Sequence, residues 1–359
     1  MNRTLLRRLA IIAIAPALVA CSSDNSPTAD DAGPAGPQRA AVSWLADQPA
    51  ADGLFTSHYA DVETGKTVAF VDHGLNLDLY AALTELGDDK TAETVYRATI
   101  EKADEYTDPP GGTRYAGAVG KLASMVQAHG DDANALGSRH LIDELEALLV
   151  KKGEEAGRAK DSPDSEFQST NIVNQAWVVR ALATAGSDDA DAAIDFLLKQ
   201  QCDDGSFREE MTAAPCADGR GSVDGTAFAI QSLQVAADEG SDEVEDDIAE
   251  AVDWLIGAQA EDGSFGGADG ANVNSTGLGA VALALTGHDQ PAAQAAAWVA
   301  SLQVADGPEK GAIALNEADR SAAGSKAIAD VDRDRYVRAS VQAVRALTAL
   351  PAENASGSR

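Results

Sequence analysis

One pattern recurs along the chain and limits what it can fold into: aromatic-Leu-x3-Gln-x3-Gly-x-Phe. It runs without a gap from Phe196 and Leu197 through Gln201 and Gly205 to Phe207, and again from Trp254 and Leu255 through Gln259 and Gly263 to Phe265. A third copy, starting at Trp298 and Val299, keeps Gln303 and Gly307 in register but has Glu309 where Phe is expected. A fourth keeps Trp44, Leu45, Gln48, Gly53 and Phe55 with small shifts in spacing. Such a unit reads as a helix end and the turn into the next helix. The Gln side chain satisfies orphan backbone groups, Gly makes the turn, and the aromatic packs beneath it.

A second set of helices interleaves with these units, at 72–86, 113–129, 170–185, 224–237, 274–286 and 334–350. They are apolar nearly all round, as at Leu278, Val281, Ala282 and Leu285, which suits burial on both sides. Their partners, at 40–48, 90–106, 138–152, 190–201, 246–259 and 291–303, are amphipathic. In one of them Ile248, Val252, Leu255 and Ile256 form a stripe opposite Asp246, Glu250 and Asp253. Six hairpins of this kind predict an all-α domain over 39–350.

The repeat resembles the QW-type repeat of the squalene cyclase and protein prenyltransferase superfamily. That resemblance implies an (α/α)6 toroid, with the second set of helices around a central cavity. Closure is preferred to an open solenoid because six hairpins is the superfamily's number and no terminal pair is polar enough to cap an array.

The N-terminus predicts an address. Arg3, Arg7 and Arg8 precede a short apolar run, Leu9 to Val19, well below the roughly 20 residues a spanning helix needs. The run ends in Leu18-Val19-Ala20-Cys21, which resembles the lipobox of bacterial lipoproteins. The resemblance implies cleavage after a signal peptide at 1–20 and a lipid on Cys21, anchoring the chain to the outer face of the cytoplasmic membrane. Residues 21–38, rich in Ser, Asp, Pro and Gly, read as a disordered tether, and 351–359 as a disordered tail. With 58 acidic against 27 basic residues, net −31, the chain repels nucleic acid and offers no polybasic membrane patch. Cys202 and Cys216 form an even pair in an exported chain and predict a disulfide; no His or second Cys pair lies at zinc-ligand spacing.

In a toroid, ligands are expected at the N-terminal ends of the inner helices, where free N–H groups and the helix dipoles point. Candidate ligand-binding residues are Asp72, His73, Asn76 and Tyr80; Arg114 and Tyr115; Asn171, Asn174, Gln175 and Trp177; Asp224 and Phe228; Asn274 and Thr276; and Tyr336 and Arg338. Thr113, Asp224 and Asp334 also suit N-caps, whereas Asn174, Gln175, Trp177 and Arg338 lie inside their helices, where capping is not expected to explain them.

The catalytic signatures of the superfamily do not carry over. There is no Asp-x-Asp-Asp string for substrate protonation, and Cys202 falls in a repeat turn rather than at a zinc site. Aromatics, 5% of the chain, are too few for a carbocation-lined cavity. No Gly-x-Ser-x-Gly, His-Glu-x-x-His or P-loop occurs, and no metal site is predicted. Asp330-x-Asp332-x-Asp334 lacks the later residues of a calcium loop, with Arg335 in place of Gly and Val341 in place of Glu. The toroid is also similar to that of intrinsic factor and transcobalamin, which implies a cobalamin-like ligand and a separate lid. The expectation is a surface lipoprotein binding a small molecule, corrinoid- or isoprenoid-like, and passing it to a transporter or lid-domain partner. The alternatives are an envelope enzyme acting on polysaccharide or prenyl-linked glycan, and a protein-binding scaffold.

Overall fold

Helices that are apolar all round have to pack on every side, and in the computed structural model they do so by forming a closed inner ring. The structure describes residues 36–351 apart from 63, 109–111, 163–167, 218, 220, 268–269 and 325; Cys21, the leader and the 351–359 tail, save Pro351, lie outside the described residues. The inner helices are α2 (His73–Glu85), α5 (Ala116–His129), α7 (Ile172–Ala185), α9 (Val223–Asp238), α11 (Val273–Leu285) and α14 (Asp330–Ala343), the last extended by a 3-10 segment, Val344–Ala349. Each packs on the next, and α14 packs on α2. The outer helices are α1 (Gly36–Ala46), α3 (Asp89–Ile100) with the short α4 (Ala103–Thr107), α6 (Leu141–Ala147), α8 (Ala190–Leu198), α10 (Glu245–Ala258) and α12 (Asp289–Ser301). This is an (α/α)6 toroid. α10 shows the amphipathic logic: Ile248, Ala251, Val252 and Leu255 are buried, while Ile256 is exposed. Each fully buried Leu, Ile or Val contributes about 1.5–3 kcal/mol.

Three features depart from the sequence reading. Two small antiparallel hairpins, β1 (Ser57–Ala60) with β2 (Thr67–Phe70) and β3 (Gly266–Gly267) with β4 (Gly270–Ala271), decorate the turns. A short α13 (Glu317–Ala323) sits between α12 and α14. The caps also shift. Ser222, not Asp224, caps α9; Tyr115, not Thr113, precedes α5; and α14 begins at Asp330, which puts Asp334 inside the helix. Ser222 wins because its hydroxyl reaches the Gly225 N–H at 3.0 Å from extended backbone.

The repeat works between hairpins as well as within them. Gln201 donates to the carbonyls of Gly205 (3.1 Å) and Asp247 (2.9 Å), the latter in the next outer helix. Gln259 does the same to Gly263 (3.0 Å) and Pro291 (2.9 Å). The turn glycine lies flat against that next helix: a Cβ on Gly263, whose φ is +90°, would stand 2.5 Å from the Gln294 carbonyl oxygen.

The copy at Gln303 is different, and its difference closes the ring. Gln303 pairs with Ile313, ten residues on, where Gln201 pairs with Phe207, six residues on. The turn is thus four residues longer, and Ile313, not Glu309, stands where Phe does. Gly311 (φ +102°) takes the role expected of Gly307, and its Cβ would lie 2.0 Å from the Ala40 carbonyl oxygen of α1. Gln303 donates to Gly311 O (3.1 Å) and Pro37 O (2.9 Å), so the last hairpin grips the first. Residues 148–160 repeat this longer turn, with the Leu149–Ala159 bridge and Gly157 against Ala192 of α8.

The inserted Glu309 is buried in the seam. It accepts hydrogen bonds from Trp44 Nε1 (2.9 Å), the Ile328 N–H (2.9 Å) and the Arg333 guanidinium (3.0 Å). Beside it Arg338 bridges Asp72 (2.5 Å) and Asp334 (2.7 Å), and Ser57 bonds Asp334. The predicted Cys202–Cys216 disulfide is present, with Cα atoms 4.5 Å apart. It closes a short loop and contributes about 3 kcal/mol by the chain-entropy estimate. Inside that loop the buried Arg208 donates to Gln200 Oε1 (2.8 Å) and Ala214 O (2.5 Å).

Burial raises the pKa of Glu309, but the hydrogen bonds from Arg333, Trp44 and Ile328 outweigh it and hold the carboxyl below its ordinary 4.5. Its contribution is therefore complete above that value and fades as pH falls through the lower folded one. Glu309→Gln should cost about 1.5–3 kcal/mol at neutral pH. Denaturant melts from pH 7 to pH 3 should show the variant losing less stability on acidification than the wild type; equal slopes would contradict the clasp.

Candidate functional site

The N-terminal ends of the inner helices, where ligands were expected, are largely occupied by the fold itself. In α2, α7, α9 and α11 the residue four past the cap reaches back to the preceding turn. Asn76 Oδ1 accepts the Phe55 N–H (2.8 Å), Gln175 Oε1 the Ala159 N–H (2.9 Å), Thr226 Oγ the Phe207 N–H (2.9 Å) and Thr276 Oγ the Phe265 N–H (2.9 Å). All four side chains are fully buried. Asn76, Gln175 and Thr276 are thus explained as clips between turn and helix. Asn174, for which capping was not expected, completes a capping box with Asn171: each side chain accepts the other's backbone N–H, at 2.9 and 3.1 Å.

The remaining candidates are scattered around the ring. Asp72 caps α2 through Leu75 N–H and pairs with Arg338 in the seam. Burial raises the pKa of Asp72, and Arg338 with the Leu75 N–H reverses this to a net lowering. His73 is buried, 3.7 Å from Glu105, and burial lowers its pKa against the pull of Glu105 and Asp72. Arg114 is 2.7 Å from Asp108 and 3.5 Å from Glu144, and Tyr115 occupies the cap position of α5. The Tyr336 hydroxyl donates to Asp319 O (2.8 Å). Asn274 Oδ1 is buried with no hydrogen-bond partner among the described residues.

Two hollows use what is left. A groove of about 750 Å³ at the mouth, between α9 and α11, is lined by Asp224, Glu209, Arg208, Trp254, Asn272 and Ser275. Burial raises the Asp224 pKa, Glu209 adds to the rise, and a hydrogen bond with Ser275 opposes it.

The second hollow, about 570 Å³, is the lumen of the toroid, and all six inner helices line it. Each contributes a residue: Asp78 from α2, Lys121 from α5, Trp177 from α7, Phe228 from α9, Leu278 from α11 and Val341 from α14. Tyr80, Trp177 and Phe228 are the sequence candidates that the structure brings together here. The lumen runs along the inner helices from Val173, in the first turn of α7, and opens at their last turns, where Thr84, Glu85, Ala128 and Thr184 are exposed. The groove beside Asp224, Asn272 and Ser275 lies at the N-terminal ends where ligands were expected, and the lumen is a second candidate site that the sequence reading did not place.

The lumen is apolar on one wall and charged on another. Trp177 lies 6.1 Å from Phe228, with Val173, Val235, Leu278 and Val341 around them. The Arg180 guanidinium stands 5.4 Å from the centre of the Trp177 ring, and Lys121 Nζ stands 5.8 Å from it. Lys121 is 2.7 Å from Asp78, and Arg345 pairs with Glu85. The sequence reading missed Lys121, Arg180, Gln127, Gln231 and Arg345. One signal could have found them: a polar side chain inside a helix buried all round has only the lumen to face. In α7, Val173, Trp177, Arg180 and Thr184 follow that helical spacing down one face.

Among the described residues no group of three or more His, Cys, Asp or Glu side chains is placed to hold a metal ion, and no helix is long and apolar enough to cross a membrane. No family model and no curated protein matches the sequence. Solved structures do match. A protein from Actinoplanes aligns with TM-score 0.62 at 15% identity, covering 87% of this chain and 98% of its own. The type II terpene cyclase MstE from Scytonema aligns with TM-score 0.60 at 12% identity, covering 87% and 97%. An unsaturated glucuronyl hydrolase specific for heparin aligns with TM-score 0.59 at 14% identity, covering 87% and 95%. These likenesses establish the toroid, which hosts unrelated chemistries.

Thr276→Val keeps the shape of the clip but leaves the Phe265 N–H unpaired, at a cost of about 1–3 kcal/mol. Chemical denaturation should show that loss. Ligand affinity should not change, because Thr276 faces the turn rather than the lumen.

Proposed function

We propose that this protein is a lipid-anchored binding protein of the cell envelope whose toroid lumen holds a small amphipathic molecule. The observation that carries the reading is the lumen itself: a cavity within the roughly 300–1,000 Å³ range of small-molecule sites, apolar on one wall, with a few polar groups placed among aromatic side chains. An isoprenoid-like ligand suits these walls better than a corrinoid, whose amide-bearing rim needs many matched hydrogen-bond partners. The lipobox-like Leu18-Val19-Ala20-Cys21 supports the envelope location, and the tether would hold the lumen within reach of a membrane. Delivery to a transporter or a lid-domain partner belongs to the same proposal.

Thermal melts of the full chain with geranylgeraniol, cobinamide and an oligosaccharide test the lumen. Geranylgeraniol should raise the melting temperature, and Trp177→Leu should remove that rise. A saccharide shift that survives Trp177→Leu would move the function to the groove beside Asp224.

The anchor has its own test. Expressed in a bacterium, the full chain should partition into the detergent phase, and Cys21→Ala should leave it in the aqueous phase. Equal partitioning would remove the lipid.

A further inference from the structure

The charged side chains that line the lumen do not cancel. Among the described residues they are Asp78, Glu85, Lys121, Arg180 and Arg345. Lys121 pairs with Asp78 at 2.7 Å, and Arg345 pairs with Glu85. Arg180 is left over. It has no ion pair and no hydrogen bond among the described residues, only the Trp177 ring at 5.4 Å. In a chain with 58 acidic residues and a net charge of −31, a guanidinium kept inside a cavity without a carboxylate partner stands out.

Its energetics are unfavourable for the protein alone. Burial, with the charge of Arg345 nearby, lowers the Arg180 pKa to about 10, and Glu85 offsets this only in part. A cation–π contact returns about 0.5–2 kcal/mol, less than a matched anion would. A second lumen atom is also unmatched. Gln127 donates through Nε2 to Ala181 O (3.0 Å), the residue after Arg180, while its buried Oε1 has no hydrogen-bond partner among the described residues. The lumen thus offers the guanidinium N–H donors of Arg180 beside an aromatic wall.

We propose that the lumen binds its ligand through an oxyanion head group, carboxylate or phosphate, set against Arg180, with the ligand's apolar chain lying along Trp177 and Phe228. The inference rests on the lumen being the binding site and adds the chemistry of the ligand. A planar guanidinium matches either oxyanion in a two-pronged geometry, and a ligand anion would supply the counter-charge that the fold withholds.

Isothermal titration of the full chain carrying Cys21→Ala, with decanol, decanoate and decyl phosphate, tests this. Decanoate, decyl phosphate or both should bind about tenfold or more tighter than decanol, as a charged hydrogen bond to a half-buried guanidinium implies. Arg180→Met should reduce that preference to nothing while leaving decanol binding intact, and Arg180→Lys should keep part of it. Arg180→Met without ligand should melt no lower than the wild type, since it removes an unpaired charge; this also shows that the variant folds. Preference for one anion over the other identifies the head group. Equal binding of decanol and both anions, or an anion preference that survives Arg180→Met, overturns the role of Arg180 and leaves the lumen reading standing. No binding of any of the three overturns both.

Discussion

Glu309 joins the first and last hairpins of the toroid. Its buried carboxylate takes Trp44 Nε1 from α1, the Ile328 N–H and the Arg333 guanidinium, and two residues away Gly311 lies flat against Ala40. Without that seam the six hairpins would form an open array with two uncovered ends, and α2 and α14 would each leave an apolar flank in water. Burying a carboxylate is costly unless it is fully hydrogen-bonded, and here donors from α1, the linker after α13 and α14 meet that need together. The clasp therefore demands closure as much as it stabilises it.

Closure decides where a site can be. At the N-terminal ends of the inner helices, Asp72, Asn171, Ser222 and Asn272 cap, and Asn76, Gln175, Thr226 and Thr276 hold the incoming turns. Those polar groups are used in making the ring. Between those contacts the inner helices leave a hollow lined by Trp177, Phe228 and Arg180. A solenoid built from the same hairpins would have no lumen.

Much of this was legible before any tertiary structure. The 3.6-residue period and the Gln–Gly turn units located all six hairpins, and the even pair Cys202 and Cys216 marked a cross-link. Tyr80, Trp177 and Phe228 were already candidates near the inner-helix ends, Trp177 as a side chain that helix capping does not explain. Asn174 and Gln175 looked equivalent to Trp177 by the same criterion and are not. Asn174 is used locally, in a capping box with Asn171, whereas Gln175 accepts the N–H of Ala159 in a turn that folds back from the preceding hairpin. Gly307 and Glu309 misled for a related reason: a four-residue insertion keeps the linear spacing of Gln and Gly while moving the functional glycine to Gly311.

The sequence by itself determined the helices, their alternation of buried and amphipathic faces, and the turns between them, because periodicity and turn chemistry act over a few residues. Which polar side chains hold the ring together, and which stand unpaired within it, was decided only by the tertiary structure. Arg180 and Arg345 both lie on lumen-facing helical stretches, yet Arg345 finds Glu85 on the neighbouring α2 and Arg180 finds only Trp177. Pairing of that kind is set by distances between helices far apart in the chain, and no local pattern encodes it.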